Sequence, residues 1–230
     1  MNRELATLRH LLMLARDEGL IEAVLVIKLY DEKRFIRKRF ITEEEHQALL
    51  SVVARPVQRI LTCLYETAMR PEEPLALTWP KVDMKAGVIH LDFEDTKEAD
   101  KRVIPITPAL REVLEELRAE QRKVATIGGA VFTRDGLPIR SYRTAFENAR
   151  NRTRILDVHP HDYRHTAITR WELAGIPLEV AMKASGHRDL ADHYRYVNLR
   201  EEHMKAVFAQ KIPTLCTPEV DRVTSALLSS

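Results

Sequence analysis

The spacing of apolar positions predicts a chain built mainly of helices. Over residues 2–18, Leu5, Leu8, Leu12 and Ala15 recur at helical intervals, and Gly19 follows as a stop. An apolar stretch, LIEAVLVIKLY, comes next. Thr42 with Glu45 three residues later has the form of a capping box ahead of EEEHQALLSVVA. A further helix is predicted from Pro56, a residue suited to a first turn, to about Met69. The period then changes. VIHLDF and RVIPIT read as strands, and Pro105, which cannot donate to a sheet ladder, places the second of them at an edge. PALREVLEELRAEQRK returns to the helical period, with Leu110, Val113, Leu114 and Leu117 on one side. VFT reads as a short strand or an extended piece. Residues 141–150, 161–174 and 177–183 are predicted as helices, Gly175 ending the second, and 200–210 as one more. The fold class expected is α+β, mainly helical, with a small sheet.

Composition narrows the class without naming a function. The chain has 230 residues, 45% hydrophobic and 30% charged, which fits a soluble globular protein with a real core. No run approaches the ~18 apolar residues of a membrane span. The opening MNRELATLRH is charged and unlike a secretory signal, so a cytoplasmic location is expected. Cys63 and Cys216 have no metal-ligand spacing and do not suggest a disulfide framework. Net charge is only +2, but it is unevenly spread. Residues 41–120 hold 10 basic and 16 acidic side chains, whereas 121–200 hold 14 and 8. Lys28, Lys33, Arg34, Arg37, Lys38 and Arg39 crowd one short segment. A basic face for a polyanion and an ordinary solvated surface both fit this distribution.

Certain residues could carry chemistry. HPHDYRHT sets His161, Arg164 and His165 within about one helical turn, so His161 and Arg164 share a face. Gly186-His187 lies downstream, Tyr196 follows nine residues after His187, Arg70 ends an apolar helix, and Lys97 sits between the two strands. A phosphodiester centre needs these types. Arginine offers a rigid bidentate fork to phosphate oxygens, lysine or histidine moves protons, and a tyrosine hydroxyl can form a covalent phosphoester. Each residue alone weighs little. A lone tyrosine more often packs, and His159, His161, His165 and His187 could instead gather a metal, although no carboxylate or cysteine follows a ligand spacing.

Taken together, four blocks resemble the tyrosine recombinases of the phage-integrase kind. In ETAMRPEEPLALTWPKVD, Thr67, Met69, Arg70, Glu73, Leu77, Trp79, Val82 and Asp83 fall in register with that family's first arginine box. DTKEADKRVIPIT resembles its β-hairpin, with Lys97 at the lysine position. HDYRHTAITRWELAGIPLEVAMKASGH is similar to the H-x-x-R box and the G-H element, through His161, Arg164, His165, Thr166, Gly175, Gly186 and His187. Tyr196 stands at the usual distance beyond, with Tyr194 two residues too early. The sequence departs from the pattern at Ala68 (usually glycine), Pro74 (usually apolar), Lys81 (usually aspartate), Tyr163 (usually leucine) and the pair Ala184-Ser185 (usually more apolar).

The resemblance implies an integrase-like catalytic domain with a small antiparallel sheet over residues 41–210. A partial core-binding helical segment and basic linker would precede it over 1–40, and a tail would follow over 211–230. It implies a site-specific recombinase that cuts and rejoins DNA through a 3′-phosphotyrosyl link on Tyr196. Arg70 and Arg164 would clamp the phosphate, Lys97 would protonate the leaving 5′-oxygen, His161 would assist proton transfer and His187 would hydrogen-bond the phosphate. Lys33, Arg34, Arg37, Lys38 and Arg39 would bind the DNA backbone. No metal or cofactor is implied. The partners implied are double-stranded DNA and further copies of the chain, as a tetramer on DNA, with no membrane and a place at the nucleoid. The short N-terminal segment leads to an expectation of weak, salt-sensitive duplex binding. A degenerate, non-catalytic DNA-binding fragment is the alternative function, and a type IB topoisomerase is an enzyme rival.

Overall fold

The computed structural model describes residues 2–30, 39–92, 101–122 and 129–187. The chain divides into two compact units, residues 1–37 and 38–230. In the first, helix α1 (Asn2–Asp17) runs into Gly19 at positive φ. Leu5, Leu12 and Ala15 are its half-buried apolar positions, as the periodicity predicted, while Leu8 is exposed. The Asn2 side chain donates to the Tyr30 carbonyl and accepts from the Tyr30 amide, both at 2.7 Å, tying the start of the unit to residue 30.

In the second unit, α2 (Glu43–Val52) opens on the predicted capping box: the Glu45 amide donates to Thr42 Oγ1 and Glu45 Oε2 accepts from the Thr42 amide. Helix α3 (Arg55–Thr67) has proline in its first turn and is buried on most faces, through Val57, Ile60, Leu61, Cys63, Leu64 and Tyr65. Such a helix belongs at the centre of a core. Accordingly α3 packs on both α5 (Pro108–Gln121) and α7 (Asp162–Leu173). The short α4 (Glu73–Ala76) follows it, and α6 (Arg143–Thr153) lies against α2. Helix α8 (Leu178–Ser185) packs on strand β3. Among the described residues no helix is long and apolar enough to cross a membrane.

The sheet is antiparallel, in the order β1 (Val82–Asp83), β2 (Val88–Leu91), β3 (Arg102–Pro105). β3 lies at the edge that Pro105 demands. A second hairpin joins β4 (Thr133–Arg134) to β5 (Leu137–Pro138) through Asp135-Gly136, both at positive φ, as a tight two-residue connection requires. Of the VFT segment, Thr133 opens β4, and the turn that follows has no counterpart among the sequence expectations. Tyr163, the departure from leucine, is wholly buried. Its hydroxyl lies 3.3 Å from His46 Nδ1, and its ring meets His46, Tyr65 and Phe146 edge-on. The added oxygen therefore has a partner inside the core. The expected helix over 200–210 and the tail over 211–230 lie outside the described residues.

Candidate active site

Arg70 emerges from the way α3 ends. Ala68 takes the left-handed conformation, φ 51 and ψ 21, normally a glycine position. The chain then turns back, the Glu73 amide donating to the Arg70 carbonyl at 3.0 Å. Glu73 holds Arg70 from both ends: Oε2 accepts the Arg70 amide at 2.7 Å and Oε1 accepts from Nη1 at 3.3 Å. Pro74, another departure, sits buried in the first turn of α4, where its missing N–H costs nothing.

Arg164 is placed from the opposite side. It is among the largest fully buried side chains. From the first turn of α7, Nη1 donates to the Ala68 carbonyl at 2.7 Å, and Nη2 donates to the Ser185 carbonyl at 2.8 Å. Nη2 also lies 3.0 Å from His187 Nε2. One guanidinium thus links the turn that presents Arg70 to the turn that presents His187. A guanidinium only donates, so Nε2 of His187 accepts and its proton sits on Nδ1. Nδ1 in turn faces Ser185 Oγ at 3.0 Å, and Ser185 Oγ donates to the Met182 carbonyl at 3.3 Å. Gly186 ends α8 at φ 77, which sends His187 back toward Arg164.

His161 stands at the N-cap of α7, with its ring 5.3 Å from that of His165. The residue reaches solvent, yet the protein around its ring lowers its pKa below the ordinary imidazole value, and the charge of Arg164 adds to the shift. His161 is therefore neutral near pH 7 and able to take a proton. Arg70 and His161 line one cleft of about 750 Å³, together with Arg140, Arg143 and Arg150. His187 lines another, of about 800 Å³, with Lys101, Arg102 and Lys183. In the first cleft four arginines outnumber Glu72 and Glu147, a balance that suits a phosphate backbone; in the second, Asp92 and Glu179 offset Lys101 and Lys183, and Arg102 is buried against Glu73.

The fold thus brings together four of the six residues expected to be catalytic: Arg70, His161, Arg164 and His187. Lys97 and Tyr196 lie outside the described residues, as do Lys33, Arg34, Arg37 and Lys38. Arg39 is described. It forms ion pairs with Glu45 and Asp157, so its charge already has intramolecular partners. Among the described residues no three His, Cys, Asp or Glu side chains converge as metal ligands. Two residues of this region were not singled out from the sequence. Ser185 was noted only as a departure. Arg102 was legible in principle: in RVIPIT it shares the register of Ile104, so the strand's alternation turns it toward the core.

Comparison with known proteins identifies the family and agrees with the fold. The chain is 37% identical to a shufflon-specific DNA recombinase of Escherichia coli over 138 residues, 59% of this chain and 33% of that protein. It is 24% identical to the tyrosine recombinase XerC of Staphylococcus haemolyticus, over 92% of this chain and 74% of that one. Among solved structures, the Tn1549 transposon integrase in complex with circular intermediate DNA superposes with a TM-score of 0.65 at 19% identity. That superposition covers 89% of this chain and 76% of the integrase. The phage integrase family model matches residues 39–203, which carry every candidate catalytic residue, and the chain belongs to that family.

Proposed function

We propose that this chain is a site-specific DNA recombinase, with residues 41–210 as the catalytic unit and Tyr196 as the nucleophile. The observation that carries this reading is the linkage of Arg164 to both the Arg70 turn and His187. It ties one guanidinium to the turn that carries Arg70 and to the turn that carries His187, an arrangement suited to offsetting charge that builds on a phosphate in flight. Family membership and the DNA-bound state of the similar integrase support it.

In the reaction, Tyr196 Oη attacks the scissile phosphorus, the bond from phosphorus to the 5′-oxygen breaks, and a 3′-phosphotyrosine results. The phenolic proton passes to neutral His161, and Lys97 gives a proton to the leaving 5′-oxygen. Arg70 and Arg164 stabilise the non-bridging oxygens. Because the bond energy is kept in the phosphotyrosine, an incoming 5′-hydroxyl reverses the step and rejoins a strand. Lys33, Arg34, Arg37 and Lys38 add contacts to the DNA backbone, Arg39 joining them only by leaving Glu45 and Asp157, and a tetramer of chains on two duplexes completes an exchange. The test is a gel shift with covalent trapping on candidate attachment-site duplexes. Retarded complexes that include a denaturant-resistant adduct support the proposal. Binding without any adduct, on nicked substrates included, leaves only a DNA-binding module.

A further inference from the structure

Arg102 is a cation in an unusual place. It opens β3 on the buried face of the strand, and its side chain is only 2% exposed. One guanidinium nitrogen, Nη2, donates to Oε2 of Glu73, whose side chain is equally buried. That same Oε2 accepts the Arg70 amide, while Oε1 accepts from Arg70 Nη1. The rest of the Arg102 side chain lies against Gly186. A Cβ at Gly186 would stand 3.0 Å from Arg102 Nη1 and 3.1 Å from Cδ. Arg102 thus touches the acid that presents Arg70 and fills the space behind the turn that presents His187.

Stability alone does not account for this pair. A buried ion pair is often replaceable by apolar residues of similar volume without loss of stability, whereas removal of one partner strands the other. What an apolar pair could not do is aim a carboxylate at Arg70. The geometry points to Arg102 as a positioning residue: it orients Glu73 to hold the Arg70 turn and buttresses the Gly186-His187 turn, keeping the two sides of the phosphate site in register. The consequence for cleavage rests on the function proposed above; the consequence for the Arg70 turn does not.

Two readouts test it, the first without DNA. In native-state hydrogen exchange, the Arg70 amide of Arg102→Met should lose about tenfold more protection than the Ile60 and Leu61 amides of α3, as expected when its acceptor is no longer held. Arg102→Lys keeps a charge beside Glu73 and should fall between wild type and Arg102→Met. The second readout is single-turnover cleavage of a nicked duplex. Arg102→Met should lose roughly a hundredfold in rate, the scale of a small misplacement of reacting groups, with duplex affinity within about threefold of wild type. Combining it with Glu73→Gln should lower the rate by clearly less than the product of the two single losses, because part of the action of Arg102 runs through Glu73 and the rest through the Gly186 turn. Equal loss of protection at Arg70 and at the α3 amides, or rate losses that multiply, would overturn the inference. If Arg102→Met does not fold, Arg102→Lys against Glu73→Gln carries the same comparisons. A wild type that makes no adduct would sink the recombinase reading, and the exchange experiment would still decide the role of Arg102.

Discussion

Nη2 of Arg164 stands 3.0 Å from Nε2 of His187, and this contact limits what the histidine can do. With its proton on Nδ1, the ring cannot donate to a phosphate through Nε2. On the function proposed above, a phosphate oxygen would take over the guanidinium's hydrogen bond, and the ring would become a donor there only after its tautomer changed. Ser185 makes that change possible. Its hydroxyl can turn from the Met182 carbonyl to donate to Nδ1, leaving the proton on Nε2.

Ser185→Ala removes that partner. Single-turnover cleavage is expected to fall roughly five- to tenfold, the worth of one hydrogen bond of about 1 kcal/mol, with duplex affinity nearly unchanged. Nitrogen NMR of His187 should show a shifted tautomer balance in the variant. An unaltered rate with an unaltered tautomer would remove Ser185 from the account.

The two arginines should respond differently to lysine. Arg70 is partly accessible, 15% exposed at the side chain, and Arg70→Lys should leave the melting temperature close to wild type. Its cleavage rate should fall about a hundredfold or more, because a point charge does not reproduce the fork. Arg164→Lys should lose both rate and stability. It leaves the Ala68 and Ser185 carbonyls short of donors inside the protein, at about 1–3 kcal/mol each. Thermal denaturation beside cleavage kinetics checks the pair, and equal melting temperatures for the two variants would contradict the placement.

Much of this was legible in the sequence where the signal is local. The capping box at Thr42 and Glu45 uses neighbours three apart, and Pro105 needs an edge wherever its strand pairs. The Asp135-Gly136 turn was equally local and was passed over, since only two residues flank it on each side and no alternation announces strands that short. The site is a different matter. Arg164 meets the Ala68 carbonyl across 96 residues of chain, and no periodicity encodes that contact. Motif resemblance brought Arg70, His161, Arg164 and His187 into one list; only the packing of α3, α7 and α8 shows that Ser185 and Arg102 stand behind them.

Ala68 offers a check on the backbone at the site. A left-handed conformation disfavours a residue with a Cβ by about 1 kcal/mol, and glycine would relieve it. The methyl is wholly buried, in a cluster with Ala167 and Ile168, and its loss costs a similar ~0.8 kcal/mol. Ala68→Gly is therefore expected to be nearly neutral in stability and to cleave within about threefold of wild type, since the Ala68 carbonyl keeps Arg164. Chemical denaturation is the measurement, and a destabilisation above about 2 kcal/mol would show that the methyl matters more than the strain.

His46 makes stability depend on pH. Burial, only partly offset by Glu43, lowers its pKa from 6.5 to about 4. Between those values an unfolded chain binds a proton that the folded core refuses. Stability contributed by neutral His46 is therefore full above about pH 6.5 and declines as pH falls toward 4. His46→Gln removes the titration. Between pH 7 and 4.5 its stability should fall by about 2–3 kcal/mol less than that of wild type in urea titrations. Parallel losses in the two proteins would show that His46 does not drive the acid sensitivity.

The proposed function rests on Tyr196 becoming covalently joined to DNA. A suicide duplex, nicked so that the short cleaved fragment diffuses away, converts that event into a stable adduct visible on a denaturing gel. Wild type and Tyr194→Phe are expected to form it. Tyr196→Phe is expected to form none while binding the same duplex with nearly unchanged affinity. An adduct that persists in Tyr196→Phe would contradict the assignment of the nucleophile, and its absence in wild type would contradict strand cleavage by this chain altogether.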